Sequence, residues 1–400
     1  MKKYHRLLIY VVFAGLTFFF LVALSVTISE RSKQRENRRY GRRIGKRTEE
    51  VRDDYPDDVE ADGERGNTER QIRNLLKVAE AENNKRLETI ESTCKKYNLG
   101  SFRTANGPKI DHPPVPQYSV FYIDRANKLS YCPIYKAGSS TWLYNLCLLA
   151  GMTEEEIETS KQQISVLARE KYEELEPPAA EEALQKTLKI MSVRHPFERL
   201  LSAYRDKLEN TNYGQEHGTI HFYKKFGRKI VKKYRENGNN TKAWELLKPS
   251  QYLWNPEVPK PAGVEPTFRE FVRYLIDANL IQYADDHWIP FYLYCTPCLL
   301  HYNVIAKVET MDRDQLYVIR LLGLQDRIKP RWRHKTQFTA GNAEKVSNIA
   351  KIYFQQLSVN EVNALYQKYK IDFELFGYDY KEYLQYAHDF ENSVQRDDTE

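Results

Sequence analysis

The run Lys-Ala-Gly-Ser-Ser-Thr at residues 136–141 combines one cation with small residues and hydroxyl groups. Its members are Lys136, Ala137, Gly138, Ser139, Ser140 and Thr141. The small residues let the backbone approach a ligand closely, and the hydroxyl groups supply hydrogen bonds and a helix N-cap. The flanking residues predict a strand before the run and a helix after it. Because the first amides of a helix bind anions, we expect a phosphate or sulfate site here.

This run differs from the phosphate loop of nucleoside-triphosphate-binding proteins. That loop has four residues between two glycines, followed by Lys and then Ser or Thr, whereas here Lys136 precedes Gly138. A kinase also needs acidic magnesium ligands, which we do not find in the sequence. Two alternatives stand beside the anion site: a turn that only caps a helix, and a nucleotide-dependent kinase.

A second stretch, residues 189–208, has the same order of strand, turn and helix. Apolar residues at 190, 191 and 193 predict the strand, and Pro196 suits the first turn of the helix that follows. Arg194 therefore lies at the carboxyl end of a predicted strand, where ligands bind in doubly wound sheets. Ser202 falls on the predicted helix.

Together the two stretches resemble the 5′-phosphosulfate and 3′-phosphate motifs of sulfotransferases that use 3′-phosphoadenosine 5′-phosphosulfate (PAPS). They resemble in particular the Golgi carbohydrate sulfotransferases of the chondroitin and dermatan type. A third stretch adds to this resemblance, because it is similar to the family's His-Trp-x-Pro, Cys-x-Pro-Cys and Glu-Thr series in the same order. It comprises residues 286–290, residues 295–298, Tyr302 and residues 307–310.

Three positions depart from the family pattern. Tyr135 replaces a proline before the lysine, Phe291 replaces a glutamine after Pro290, and Asn303 replaces an aspartate after Tyr302. The cofactor assignment does not depend on these positions, so they concern the acceptor side of the site.

The resemblance implies an α/β protein with a P-loop-like sulfotransferase fold, in which helices flank a central parallel sheet and a transmembrane helix and stem come first. It implies transfer of a sulfuryl group from PAPS to a sugar hydroxyl of an anionic glycan, one that contains N-acetylgalactosamine. The product is 3′-phosphoadenosine 5′-phosphate (PAP), and no metal is expected. Residues 136–141 would hold the 5′-phosphate, Lys136 would also neutralise charge on the leaving group, and Arg194 and Ser202 would hold the 3′-phosphate. A glycan-binding protein that has lost its activity is the alternative.

The sugar hydroxyl must lose its proton as the sulfuryl group arrives, and a neutral histidine or a carboxylate can accept it. We favour His287, which lies between Asp286, able to orient an imidazole, and Trp288, able to stack on a sugar ring. Glu309, at the end of a predicted strand, is the second candidate. His195 lies next to the predicted 3′-phosphate arginine, and we assign it to the turn.

Length and composition favour one large catalytic domain. The chain has 400 residues, of which 41% are hydrophobic, and a formal net charge of +6, which is small for this length. No nucleic-acid-binding motif is present, so nucleic acid is not an expected partner. The predicted segments are a short tail (1–6), a transmembrane anchor (7–28), a stem (29–92), the catalytic domain (93–390) and a polar tail (391–400).

The anchor is a run of 22 uncharged residues, long enough to cross a bilayer as a helix. A signal peptide cut after residues 23–25 is the alternative. Basic residues are more numerous after the run than before it, which favours a cytosolic domain. The family resemblance implies the opposite, a single-pass type II protein of the Golgi membrane with a lumenal domain, and we follow the resemblance. Asn239 begins an Asn-Asn-Thr glycosylation sequon, which suits a lumenal loop.

Residues 222–235 predict a basic amphipathic helix, because apolar residues recur every four positions among lysines and arginines. These charges could attract an anionic acceptor, or they could form an ordinary solvated face. A helix is also predicted over residues 69–96, as a stalk or docked on the domain. Further predicted elements are a strand at 119–123, helical structure at 153–176 with a break at Pro177, a helix at 267–278, a strand at 303–308 and helices at 312–322, 343–354 and 358–369.

Five cysteines are too few for a disulfide scaffold, and their spacing does not indicate a zinc site. Cys295 and Cys298 could be bridged to each other, or one could reach Cys94. We expect Cys132 and Cys147 to be buried thiols. An odd count leaves at least one cysteine unpaired within the chain.

Overall fold

The computed structural model describes residues 63–212, 219–235, 261–332 and 343–388. The chain divides into a compact unit, Ile72–Glu400, and a separate unit, Met1–Gln71, of which residues 63–71 are described as part of a helix. In the described ranges no helix is both long and apolar enough to cross a membrane. The predicted anchor, the sequon at Asn239 and the polar tail lie outside the described residues.

A four-stranded sheet forms the centre of the compact unit, with the strands in the order β1-β2-β3-β4. The strands are β1 (Tyr122–Asp124), β2 (Leu129–Cys132), β3 (Leu188–Val193) and β4 (Val304–Lys307). Strand β1 is antiparallel to β2, whereas β2, β3 and β4 are parallel. The predicted α/β class and the parallel central strands are confirmed. The antiparallel edge strand was not predicted.

The described ranges also contain helices, of which some pack on the sheet and others form a second hydrophobic core. In chain order they are α1 (Gly63–Lys96), α2 (Ser139–Leu149), α3 (Glu154–Thr159), α4 (Ile164–Lys171), α5 (Pro177–Lys186), α6 (Pro196–Lys207), α7 (Thr219–Phe222), α8 (Arg228–Tyr234), α9 (Phe268–Asp277), α10 (Leu280–Tyr283), α11 (Phe291–Tyr294), α12 (Met311–Leu322), α13 (Ala343–Phe354), α14 (Val359–Phe376) and α15 (Lys381–Tyr386). A π-helical turn, Tyr223–Gly227, joins α7 to α8. Short 3-10 turns occur at Gly100–Phe102, Tyr118–Val120 and Val308–Thr310.

Helix α1 is docked on the sheet. The side chain of Asn83 donates to the carbonyl of Asn303 at 2.8 Å and accepts from the amide of Ile305 at 3.0 Å, so it pairs with β4 as a further strand would. Arg86 donates to the Ile305 carbonyl at 2.7 Å and to Asp314 at 2.6 Å. These contacts cover the edge strand and favour the docked alternative over the stalk. The compact unit, which contains these contacts, begins at Ile72.

Two disulfide bonds link distant parts of the chain. Cys94 is bonded to Cys298, and Cys132 is bonded to Cys295. The proposed reach of one Cys-x-x-Cys cysteine to Cys94 is confirmed. The expectation that Cys132 is a thiol is wrong, because the end of β2 lies against residue 295. Cys147 is a buried thiol, as predicted.

One local prediction needs correction. Residues 119–123 are not one strand, because a 3-10 turn occupies Tyr118–Val120 before β1. The helical prediction for residues 153–176 is confirmed by two short helices. The predicted break is also present, because residues 172–176 are not helical, and Pro177 then begins α5, since the fixed backbone angle of proline suits the first helical position.

Candidate active site

The turn between β2 and α2 brings backbone amides to the end of the central sheet. Lys136 and Gly138 both have left-handed backbone angles, with φ of 68° and 80°. At Gly138 the positive φ disfavours any side chain, and a Cβ atom there would also lie 2.5 Å from the Met311 methyl carbon, which would have to move. Gly138 is the N-cap of α2, so the expected hydroxyl N-cap is wrong. Ser139 and Ser140 are the first helical residues, and amides at these positions have no partner within a helix.

Lys136 is paired with a carboxylate of helix α6. Its Nζ atom donates to Asp206 Oδ2 at 2.5 Å, and Lys207 Nζ lies 3.1 Å from the same oxygen. Burial lowers the pKa of Lys136, Asp206 raises it, and the positive charges of Lys207 and Arg194 lower it again, with a net lowering. Burial would raise the pKa of Asp206, but Lys136 and Lys207 outweigh it, so this pKa is lowered.

Arg194 lies just beyond β3 and also contacts helix α6. Its Nη2 atom donates to Glu198 Oε2 at 3.3 Å. Glu198, Ser202 and Asp206 follow one another at intervals of four residues, which places them on one face of α6. The two predicted phosphate-binding stretches therefore meet along this face, with Ser202 one turn from each carboxylate.

His287 is held by a carboxylate and by an aromatic ring. Its Nδ1 atom lies 2.6 Å from Asp285 Oδ1, so the orienting residue is Asp285 and not Asp286 as predicted. The imidazole stacks on Tyr135, with ring centroids 4.8 Å apart. Burial lowers the pKa of His287, Asp285 raises it, and Lys207 and Lys136 lower it, with a net lowering. Within the described ranges, Nε2 of this imidazole has no hydrogen-bond partner.

Trp288 is fully buried. It packs edge-on against Phe226 and Phe271, with ring centroids 4.9 Å and 5.4 Å away. The expectation that Trp288 stacks on a sugar is therefore wrong, because the ring belongs to a second hydrophobic core formed mainly by α6, α9, α13 and α14.

Glu309 lies in the 3-10 turn after β4 and accepts two hydrogen bonds. One comes from the amide of His195 at 3.0 Å, and the other from the hydroxyl of Tyr378 at 2.9 Å. The ammonium of the nearby Lys307 donates to the carbonyl of Phe376 at 2.6 Å and not to Glu309. The carboxylate of Glu309 thus ties the turn before α6 to the segment after α14.

His195 lies in this same turn. Its Nε2 atom lies 2.9 Å from the carbonyl oxygen of Asp379, and its ring stacks on Tyr383 at 4.8 Å. Phe373 and Tyr378 pack edge-on against the ring. These contacts agree with its assignment to the turn rather than to the chemistry.

Arg199 is a site residue that the sequence reasoning missed. It is fully buried, and its guanidinium donates to three carbonyl groups, those of Tyr135 at 3.0 Å, Ile289 at 2.6 Å and Asp286 at 3.0 Å. One side chain therefore joins the turn that carries Lys136 to the segment that carries His287. The available signal in the sequence was an arginine with apolar neighbours on a predicted helix, which indicates a buried guanidinium. A buried guanidinium needs several hydrogen-bond acceptors.

An open cleft of about 650 Å³ borders this segment. Tyr135 and Asp286 line one part of it, and Tyr122, Tyr294 and Arg169 line others. Since Tyr135 also stacks on His287, the cleft reaches the neighbourhood of the candidate base.

The basic segment forms α7, the π-helical turn and α8, which confirms the predicted helix. Ile230 is buried on its apolar side, whereas the side chains at 224, 225, 228, 229, 232 and 233 are exposed. Lys225 lies 3.3 Å from Asp285, the carboxylate that holds His287. Arg235 differs from the others, because it is nearly buried and bonds Glu270 at 2.9 Å. The exposed charges therefore begin beside the candidate site.

The described ranges contain no group of three or more His, Cys, Asp or Glu side chains placed to hold a metal ion.

The chain is similar in sequence to a known protein family and to several of its members. The model of the sulfotransferase family matches residues 119–379. Carbohydrate sulfotransferase 11 of rat is 30% identical over 268 residues, which cover 66% of this chain and 68% of the relative. Carbohydrate sulfotransferase 8 of mouse is 28% identical over 295 residues, covering 73% and 63%, and human carbohydrate sulfotransferase 9 is 27% identical over 307 residues, covering 76% and 62%. No solved structure matches the chain.

The chain therefore belongs to the sulfotransferase family. Within it the chain groups with the carbohydrate sulfotransferases, enzymes that use PAPS as the sulfuryl donor, and the resemblance seen in the sequence is confirmed.

Proposed function

We propose that this enzyme transfers the sulfuryl group of PAPS to a hydroxyl of an N-acetylgalactosamine-containing glycan of the chondroitin or dermatan type. The observation that carries the proposal is the meeting of two stretches 70 residues apart, in which Lys136 bonds Asp206 at 2.5 Å on the helix that also carries Ser202. A site for PAPS needs separate positions for its 5′-phosphosulfate and its 3′-phosphate. The two ends of this face of α6 provide them.

The residues present fit such a co-substrate. On the 5′ side, Gly138 provides the left-handed turn that precedes α2, and the first amides of α2, at Ser139 and Ser140, lack helical partners and can bind an anion. On the 3′ side, Arg194 is one-fifth exposed and can form a charge-assisted pair with a phosphate. Ser139, Ser140, Thr141 and Ser202 are the hydroxyl donors, and Ala137 closes the turn.

Bound PAPS supplies the activated sulfuryl group, and PAP leaves. The new bond joins the acceptor oxygen to sulfur, while the bond from sulfur to the bridging phosphate oxygen breaks. The ammonium of Lys136 neutralises the charge that grows on this bridging oxygen. His287 accepts the proton of the sugar hydroxyl at Nε2, because Asp285 holds the other ring nitrogen and burial favours the neutral imidazole. Glu309 is the second candidate for this role.

Electrostatics support an anionic acceptor. Exposed lysines of α8 and of the π-helical turn extend from Asp285, beside His287, along the basic helix. A polyanionic chain laid on this face would be attracted over a distance comparable to the Debye length. For the placement of the enzyme we propose a single-pass type II protein of the Golgi membrane, with the domain in the lumen and Asn239 glycosylated. The two disulfide bonds support an oxidising compartment.

Incubation of the purified full-length protein with radiolabelled PAPS and a panel of glycans tests this proposal. The panel should contain desulfated chondroitin, dermatan, desulfated heparin and a neutral oligosaccharide. We expect label on the chondroitin and dermatan chains, with its position identified by disaccharide digestion. PAP should raise the melting temperature of the protein. Stabilisation by PAP without label on any glycan would contradict the proposed acceptor class.

A further inference from the structure

Helix α6 holds both predicted cations with carboxylates. Glu198 accepts from Arg194 and Asp206 accepts from Lys136, and each carboxylate lies one helical turn from Ser202. The sequence reasoning assigned the cations and the serine but neither carboxylate. An anionic side chain inside an anion-binding site works against ligand affinity, so its presence there calls for a reason.

The surroundings of Lys136 give that reason. Lys207 on α6 and Arg194 beyond β3 bring two more positive charges close to Lys136. The charge of Lys136 in turn lowers the pKa of His287, which lies in the segment before α11. The side chain of Lys136 is only 21% exposed, so water screens this repulsion weakly. Asp206 is the carboxylate that touches both lysines, at 2.5 Å and 3.1 Å.

We propose that Asp206 is a positioning residue for sulfuryl transfer, which holds Lys136 in one orientation and keeps its ammonium charged between two other cations. The inference rests on the proposed role of Lys136 in neutralising the leaving group. It assigns no contact between Asp206 and the reacting atoms.

A change in the pH dependence follows from this role. Burial lowers the pKa of Lys136, whereas Asp206 raises it. Without the Asp206 charge the pKa of Lys136 falls further. Because the charged ammonium is the active form, activity is lost as the pH rises through this pKa, and the loss then begins at a lower pH.

The test compares full-length wild type, Asp206→Asn and Glu182→Gln, with radiolabelled PAPS and desulfated chondroitin. Glu182→Gln is the matched control, since Glu182 pairs with Lys186 at the same 2.5 Å distance on an exposed helix face. We expect Asp206→Asn to lower kcat by about 10- to 100-fold and to move the basic limb of the pH profile down by about one unit. Stabilisation by PAP should persist, and the control should match wild type.

Asp206→Glu keeps the charge but moves the carboxylate, so it should retain the basic limb of wild type with a lower kcat. It decides the matter if the Asn variant does not fold, and an unchanged kcat in Asp206→Glu would then overturn the role. Normal kcat and an unshifted profile in a folded Asp206→Asn variant would overturn it directly. If Asp206→Asn behaves like wild type while Lys136→Ala is inactive, the role of Asp206 is refuted and the proposed function stands. If wild type itself sulfates no glycan, the proposed function is refuted.

Discussion

His287 stacks on Tyr135, with ring centroids 4.8 Å apart and planes inclined by 20°. Tyr135 immediately precedes Lys136, and its carbonyl is bonded to the buried Arg199. The candidate base and the candidate leaving-group cation are thus positioned by the same turn. Tyr135 replaces the proline of the family pattern, and a proline has no aromatic ring. The family pattern therefore does not provide the ring that stacks on His287.

Lys136→Ala should remove most transfer at saturating PAPS, because it removes the ammonium that we propose neutralises the charge on the leaving group. The fold should persist, since the residue lies in a turn and not in the hydrophobic core. Arg194→Ala should instead raise the KM for PAPS, because it loses a phosphate contact. Initial rates over a range of PAPS concentrations separate the two effects. Lys186→Ala, in an exposed pair, is the matched control, and near-normal turnover of Lys136→Ala would refute the mechanism.

His287→Ala should lower kcat by about 10²- to 10⁴-fold, the usual share of general-base catalysis. Binding of PAPS should change little. Since burial lowers the pKa of His287, the acid limb of the wild-type profile should lie below the ordinary histidine value of about 6.5. The variant should lack this limb.

Glu309→Gln provides the comparison for the base. If His287→Ala loses less than about threefold in kcat while Glu309→Gln loses about 10²-fold or more, the base is Glu309. The bonds of Glu309 to His195 and Tyr378 require that the melting temperature of Glu309→Gln be measured as well, because their loss would disturb the turn.

Changing four exposed lysines of the basic helix to glutamine should raise the acceptor KM at low salt and have less effect at high salt, because salt screens long-range attraction. The four residues are Lys224, Lys225, Lys232 and Lys233. Kinetics with an anionic and a neutral acceptor at two salt concentrations measure this effect. Lys95→Gln with Lys186→Gln, two exposed lysines of other helices, is the control. An unchanged KM at low salt would mean that these residues form only a solvated face.

Thiol titration of the denatured, unreduced protein should find one reactive thiol per chain, that of Cys147, and five after reduction. Cys298→Ser should lower the free energy of unfolding by about 2–5 kcal/mol, because it opens a long covalent loop. Chemical denaturation measures this change. Three or more thiols in the unreduced protein would contradict the pairing.

The sequence was a good guide to local structure. Thr267 and Ser358 form the capping boxes that precede α9 and α14, with Glu270 and Glu361 three positions on, and apolar runs marked β3 and β4. Such signals act within a few residues of the chain. Pro177 shows their ambiguity, because proline both ends and begins helices, and here it begins one.

Contacts between distant residues were beyond sequence reasoning. The pair of Lys136 with Asp206 spans 70 positions, and Arg199 reaches Ile289 across 90. In the sequence, Glu198 and Asp206 look like ordinary acidic residues of a solvated helix face, so nothing near them predicts their partners. The burial of Trp288 likewise depends on α7 and α9 packing over it, which no pattern near residue 288 encodes.

The disulfide between Cys132 and Cys295 also determines what happens when a protease cleaves the backbone. It joins the end of β2 to the segment after α11, while the bond from Cys94 to Cys298 encloses the same part of the chain. Cutting any single peptide bond between residues 133 and 294 therefore leaves one covalent molecule, whose two pieces separate only after reduction. Lys136, Arg194 and His287 all lie between those two residues, so a protease that nicks the chain once in this region cannot release one part of the site from the other.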